Sequence, residues 1–247
     1  MIAPGLNETS SRTVQAALEL TRRRTARREV VACAKYVDSL FQDPAHIHLV
    51  GEKLAEVERY VETGGREGIG RLILSVPPRH GKTTIVSKRW PAFLLGRHAG
   101  WRLALVSYGA DLAEDASRSV RALIRDETRY KRLFPETQLS DESQAVNRWS
   151  LAGGSADNPS LVAVGVGGPL TGRGFQVIII DDPIKSRAEA ESETVRHGLK
   201  VWYSGTLRTR LEPGGAIVLI MTRWHEDDLA GWLLEQAKIG EGEDWTV

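Results

Sequence analysis

The residues whose types and spacing could do chemistry fall in two places: Lys82 and Thr83 directly after Gly81, and the carboxylate pair Asp181 and Asp182 at the end of an apolar run. Gly-Lys-Thr here follows Leu72, Ile73, Leu74 and Val76, which read as a buried strand, and opens a segment with helical spacing. That is the strand, loop and helix context a phosphate-binding loop requires. In such a loop backbone N–H groups and the N-terminus of the following helix converge on the β- and γ-phosphates, the lysine adds a point charge, and the hydroxyl ligates Mg²⁺. Pro78, Arg79, His80, Gly81, Lys82, Thr83 and Thr84 are therefore the candidate nucleotide-binding residues, with ATP and Mg²⁺ as the ligands. The full pattern is Gly-x-x-x-x-Gly-Lys-Ser/Thr, and Val76 stands where its first glycine belongs. Pro77 and Pro78 stiffen the loop and remove N–H groups that would need partners.

The acidic pair closes Gln176–Asp182, Gln-Val-Ile-Ile-Ile-Asp-Asp. Consecutive β-branched residues ending in carboxylates fit a central parallel strand that delivers acids at its C-terminal edge. In a nucleoside triphosphatase Asp181 would hold Mg²⁺ and Asp182 would orient or deprotonate the attacking water. Glutamate is more usual at the second position; aspartate is one methylene shorter, which leaves Glu226 and Asp227 as reserve acids. Phosphoryl transfer also calls for a cation against the γ-phosphate. Arg173, in a glycine-rich stretch before the acidic strand, could reach a neighbouring subunit's nucleotide, and Arg79 could act within its own loop. A further apolar run, Ala216–Met221, ends in the polar cluster Thr222-Arg223-Trp224-His225-Glu226-Asp227, placed where a nucleotide motor senses the γ-phosphate. His225, Glu226 and Asp227 suggest a metal site instead, but no other histidine stands at ligand spacing.

The elements that must position these groups follow from periodicity. Helical spacing is predicted over 13–41, interrupted by the basic block Arg22, Arg23, Arg24, Arg27 and Arg28, and over 47–62, 82–95, 111–127 and 229–237. Strands are predicted at 102–107, near Trp149, at 161–166 and at 216–221, with 132–159 otherwise loop and 165–174 a glycine-rich connection. The basic block could grip phosphates or form a solvated helix face. Arg118, Arg121 and Arg125 form a stripe that could face DNA or a neighbouring subunit, or simply complement the helix dipole. Phe41, His46 and His48 precede the first strand, where they could line an adenine pocket or serve in packing.

Composition narrows the class of protein. The 247 residues, 41% hydrophobic, can bury one large α/β core. A net charge of +1, from 33 basic and 32 acidic residues, gives no global sign of a constitutive nucleic-acid coat protein, so any DNA contact must be local. The single cysteine, Cys33, lies in an apolar helical pattern and fits inert packing in a reducing compartment. No apolar run approaches the roughly 20 residues that span a bilayer, and the start lacks a signal-peptide core.

Several blocks together resemble the N-terminal ATPase domain of the large terminase subunit, the DNA-packaging motor of tailed bacteriophages: Pro77–Thr83, Ser107–Arg118, Leu170–Pro183 and Thr222–Gly231. The likeness covers roughly 41–234. It implies an α/β fold of the RecA-like additional-strand P-loop NTPase type, with a mostly parallel central sheet flanked by helices, and ATP hydrolysis that drives double-stranded DNA into a procapsid. By the same resemblance Lys82 and Thr83 are the phosphate-loop pair, Asp181 the Mg²⁺ acid and Asp182 the catalytic acid. Arg173 is the candidate trans-acting finger, and Thr222 and Arg223 belong to a coupling motif. The Asp-Asp pair departs from the commoner Asp-Glu. The expected organisation is an N-terminal helical region (1–45), the ATPase domain (46–238) and the start of a linker (239–247) to an absent C-terminal nuclease. Cleavage activity is accordingly not expected. The implied partners are a portal protein, a small terminase subunit, weakly and non-specifically bound duplex DNA, and sister subunits in a ring that dissociates to monomers in isolation; the implied location is the host cytoplasm. A helicase or recombinase ATPase, and a nucleotide-binding switch without turnover, are the alternatives.

Overall fold

The computed structural model describes residues 5–154, 157–170, 172 and 174–247. Among these, strands β1 (Arg71–Ser75), β2 (Leu103–Ser107), β3 (Leu139–Ala145), β4 (Arg148–Leu151), β5 (Leu161–Gly165), β6 (Phe175–Asp181) and β7 (Leu211–Met221) form one sheet. Their order is β1-β7-β6-β2-β5-β4-β3. The pairs from β1 to β5 are parallel, and β4 and β3 extend the sheet antiparallel.

Parallel strands covered on both faces must be apolar throughout, because each successive side chain meets a different layer. Val177 and Ile179 of β6, Val218 and Ile220 of β7 and Leu105 of β2 enter one core cluster. Ile178, Ile180, Leu219 and Val106, their immediate neighbours in sequence, enter the other. The first cluster is closed by α2 (Val30–Val37), α3 (Ala45–Glu62), α4 (Trp90–Arg97), α5 (Ala110–Asp126) and α6 (Thr128–Leu133), and α1 (Gly5–Ala26) reaches it through Ala26. The second is closed by α7 (Arg187–Glu191), α8 (Glu193–Trp202) and α9 (Leu229–Lys238). No helix among the described residues is long and apolar enough to cross a membrane.

Register does the positioning. Leu74 pairs with Ile220, and Ile220 with Asp181, so β1, β7 and β6 end level. The loop after β1, the carboxylates after β6 and Thr222 after β7 therefore emerge side by side on one edge.

Several expectations change. The predicted helix over 13–41 is two helices, α1 and α2, separated by a turn at Arg27 and Arg28. The break lets Val30, Val31, Cys33, Ala34 and Val37 face the core while α1 stays largely in solvent. Residues 5–12, ahead of the predicted helix, are helical as well, since neither glycine nor proline interrupts 6–26. The segment 132–159 holds the hairpin β3–β4 as well as the end of α6. The polar β3, Leu-Ser-Asp-Glu-Ser-Gln-Ala, is an edge strand, which needs no apolar face. Residues 239–247, expected as a linker, lie against β1: Ile73 N–H donates to the Thr246 carbonyl (2.8 Å), and Thr246 N–H to that of Arg71 (3.0 Å).

Candidate nucleotide site

The loop between β1 and the following helix turns at Pro78 and Arg79 and reaches Lys82 at the first helical turn. Gly81 sits at φ +80°, and a Cβ there would come within 3.2 Å of Ile47. Both the dihedral and the close approach of α3 select glycine. Two imidazoles brace the loop: His46 Nε2 donates to the His80 carbonyl (2.9 Å) and His80 Nδ1 to that of Pro78 (2.8 Å). Arg79, at φ 64°, is exposed.

After Thr83 the helix opens into a π-helical segment, Thr84–Arg89, before α4. Such wider turns recur at functional sites. Here one helix presents two hydroxyls to one carboxylate: Thr83 Oγ1 donates to Asp181 Oδ1 (3.3 Å) and Ser87 Oγ to Asp181 Oδ2 (2.7 Å). Asp181 and Ser87 are both buried. Burial pushes the Asp181 carboxyl up to about 6, with the Ser87 hydrogen bond opposing and the neighbouring Asp182 charge adding to the rise. Ser87 lies beyond the sequence motif; only its position one turn after Thr83, on the same helix face, could have signalled it.

Asp182 leaves β6 in the left-handed region, φ 46°. That conformation costs of order 1–2 kcal/mol for a residue with a side chain. It is held by bonds on every side. Asp182 N–H donates to the Ile220 carbonyl (2.9 Å), and its own carbonyl accepts from Tyr108 N–H (3.3 Å). The Oδ1 accepts from Thr222 N–H (2.9 Å) and Lys82 Nζ (2.9 Å), and Lys82 lies 2.8 Å from Oδ2. Lys82, only 6% exposed, also donates to Thr222 Oγ1 (2.8 Å) and reaches the Val76 carbonyl (3.4 Å). Lysine, carboxylate and threonine thus form a closed triangle.

The remaining candidates sort by distance from that triangle. Arg223 donates to the fully buried Asp228 (2.7 Å), whose other oxygen caps α9 at Gly231 N–H (2.9 Å). The reserve acids stand elsewhere: Asp227 is gripped by Arg196 (3.2 Å) and Lys200 (2.5 Å), the Lys200 hydrogen bond holding its carboxyl below the usual range, and Glu226 is exposed. His225 Nδ1 accepts from Asp227 N–H (2.9 Å), so its ring closes a turn. Among the described residues, carboxylate and imidazole atoms converge as possible ligands at Glu58, Glu62 and His98, where Arg97 already bridges both glutamates. Of the three adenine candidates His46 alone braces the loop; His48 pairs with Asp43, and Phe41 packs against the core. Arg173 lies outside the described residues. In the basic block Arg23 is held by Glu19 and the Tyr36 hydroxyl. In the α5 stripe Arg118 and Arg125 bond adjacent aspartates, and Arg121 Nε is buried without a partner.

A strand, β7, inserted between β1, which leads into the lysine loop, and the acid-bearing β6, with all three ending at one edge, defines the additional-strand class of P-loop NTPase folds. Residues 73–245 match the family described as terminase large subunit, T4likevirus-type, N-terminal. The chain belongs to that terminase large subunit family. Its fold is similar to that of the HK97 bacteriophage large terminase, with a TM-score of 0.52 at 13% identity over 87% of this chain. This chain spans 42% of that protein's length. No curated protein matches.

Proposed function

We propose that this chain is an ATPase that powers translocation of double-stranded viral DNA into a procapsid. The observation that carries the reading is the constellation at the sheet edge: Lys82 poised at a loop mouth, Thr83 and Asp181 sharing a hydrogen bond, and Asp182 beside them. Thr83 and Asp181 offer only oxygen donors, the set that the hard cation Mg²⁺ prefers. They would hold Mg²⁺, and the loop from Pro78 to Thr84 would hold the ATP phosphates. Bound Mg²⁺ and ATP supply a γ-phosphate neutralised for in-line attack by water.

The chain's own residues do the rest. Lys82 transfers its ammonium from Asp182 and Thr222 to the phosphate oxygens. Asp182, released from that ion pair and still oriented by Thr222 N–H, accepts a hydrogen bond from the attacking water. Thr222 loses its lysine partner in the same event, and the turn that follows it is anchored to α9 through Arg223 and Asp228. That connection supports the coupling role for Thr222 and Arg223. Arg79 in cis, or Arg173 from a neighbour, adds charge at the γ-phosphate, and His46 borders the adenine side of the loop. The portal protein, the small terminase subunit and sister subunits in a ring are the proposed partners, with the host cytoplasm as location.

Steady-state ATP hydrolysis tests the reading. Lys82→Ala and Asp182→Asn should each reduce turnover on the order of 10²-fold or more, the scale of losing a charge or base aimed at the transition state. Single turnover that never repeats in the wild type would favour the nucleotide-binding switch and overturn the motor.

A further inference from the structure

We infer that the open groove between the C-terminal half of α1, α2 and α6 is a binding surface for the phosphate backbone of duplex DNA. The groove, about 880 Å³, is lined by Arg22, Arg23, Lys35, Arg129 and Arg132 against one carboxylate, Glu19. The whole chain carries 33 cations and 32 anions, so five to one is a local concentration and not a general property of its surface. Within the groove, Arg23 is neutralised by Glu19 (2.8 Å) and Lys35 by Asp43 (2.8 Å). Arg129 donates only to a backbone carbonyl, that of Tyr36 (3.3 Å). Arg22 and Arg132 are exposed, and neither is within ion-pair distance of a carboxylate among the described residues. Two independent helices therefore bring guanidinium groups without a direct ion pair to the same space, with the Glu19 charge near Arg132 as the one local counterweight.

The rest of the lining decides which polyanion fits. The Thr21 and Thr25 hydroxyls donate to the Ala17 and Thr21 carbonyls and the Tyr36 hydroxyl to Glu19, so the cations dominate the lining, and Ala32 is its one aliphatic side chain. A protein partner draws its affinity from apolar and aromatic anchors seated in pockets; here the one aromatic side chain, Tyr36, is tied through its hydroxyl to Glu19 (2.5 Å). A phosphodiester backbone needs cations without sequence readout, which the arginines of this groove supply. Three arginines predict a modest, strongly salt-dependent affinity, as expected for a chain that must hold DNA and let it move. The choice of DNA rests on the proposed packaging function.

Binding of a fluorescent duplex, followed by anisotropy from low to physiological salt, tests the surface. Arg22→Gln/Arg129→Gln/Arg132→Gln should flatten the slope of log affinity against log salt by about 0.9 for each phosphate no longer neutralised, and should weaken binding at least tenfold. Arg22→Gln/Arg132→Gln spares the Arg129 hydrogen bond to α2 and should give an intermediate slope if the triple variant folds poorly. Arg118→Gln/Arg125→Gln on α5, where aspartates already neutralise both cations, should bind as the wild type. An unchanged slope in the triple and double variants overturns the inference. So does loss of polyglutamate binding with DNA binding intact, which would assign the groove to an acidic protein. ATP turnover without DNA, measured on the same samples, is independent: normal turnover with an unchanged slope sinks the groove alone, and absent turnover with a flattened slope sinks the ATPase alone.

Discussion

Asp181 is the residue whose environment most affects the site's chemistry. A carboxylate proposed to hold Mg²⁺ is here buried among apolar strands, and two hydroxyls are its compensation. With its value raised from the usual 3.8 to about 6, the proton binds the folded state more tightly than the unfolded one. The associated stability is fully present below about pH 3.8 and is lost as pH rises through about 6. Asp181→Asn removes this dependence, so the melting temperature of the nucleotide-free variant should gain on the wild type between pH 4 and 6.5. Parallel curves would show that Asp181 is ionised throughout. Lys82, Thr83, Asp181 and Asp182 were legible as residues because the phosphate-loop and acidic-strand patterns are local in sequence. Ser87 was not, because its role depends on a π-helical turn that no motif encodes. Nor was the Lys82–Asp182–Thr222 triangle, which joins residues 82, 182 and 222 through sheet order.

At the scale of elements, the buried strands and α3, α5 and α9 could be read from apolar runs and 3.6-residue spacing, because burial dictates composition there. The hairpin strand β3 and the helices α7 and α8 could not. β3 is polar and takes its conformation from pairing with β4; α7 is a single turn; and of α8 only Leu199 is buried. The segment 239–247 has a linker's composition, yet it is fixed by partners distant in sequence. Glu243 accepts from Arg71 (2.6 Å) and lies 3.1 Å from Arg208. Burial raises the Glu243 carboxyl, but the hydrogen bond and charge of Arg71, with Arg208, outweigh it and leave the group below its usual 4.5. Its stabilisation is therefore present above about pH 4.5 and is lost as pH falls through the depressed value. Glu243→Gln should raise amide exchange at Thr246 and Ile73, whose N–H groups make the pairing, several-fold at pH 7 while leaving β6 protected. Equal protection in the variant would mean that the Thr246 backbone pairing alone holds the segment.

At the scale of the whole molecule, the proposed phosphoryl transfer needs a second cation beside Lys82. Lys82 is committed to Asp182 and Thr222 in this state, and Arg79 is exposed on its own loop. If Arg79 completes the site, each chain is self-sufficient: turnover per chain is independent of protein concentration, and Arg79→Ala removes on the order of 10³-fold or more, the typical worth of an arginine finger. If Arg173 from a neighbour completes it, isolated chains are nearly inactive and turnover per chain rises with concentration. The two cases separate cleanly in a mixture of Arg173→Ala with Asp182→Asn, each of which is nearly inactive alone if the finger acts in trans. A subunit lacking Arg173 keeps its own Lys82, Asp181 and Asp182, and a neighbour lacking Asp182 still carries Arg173. Activity in the mixture, absent from either variant by itself, requires a site shared between two chains and hence a ring or similar assembly. Full activity of Arg173→Ala alone would place the finger in cis and leave the ring without a catalytic reason to form.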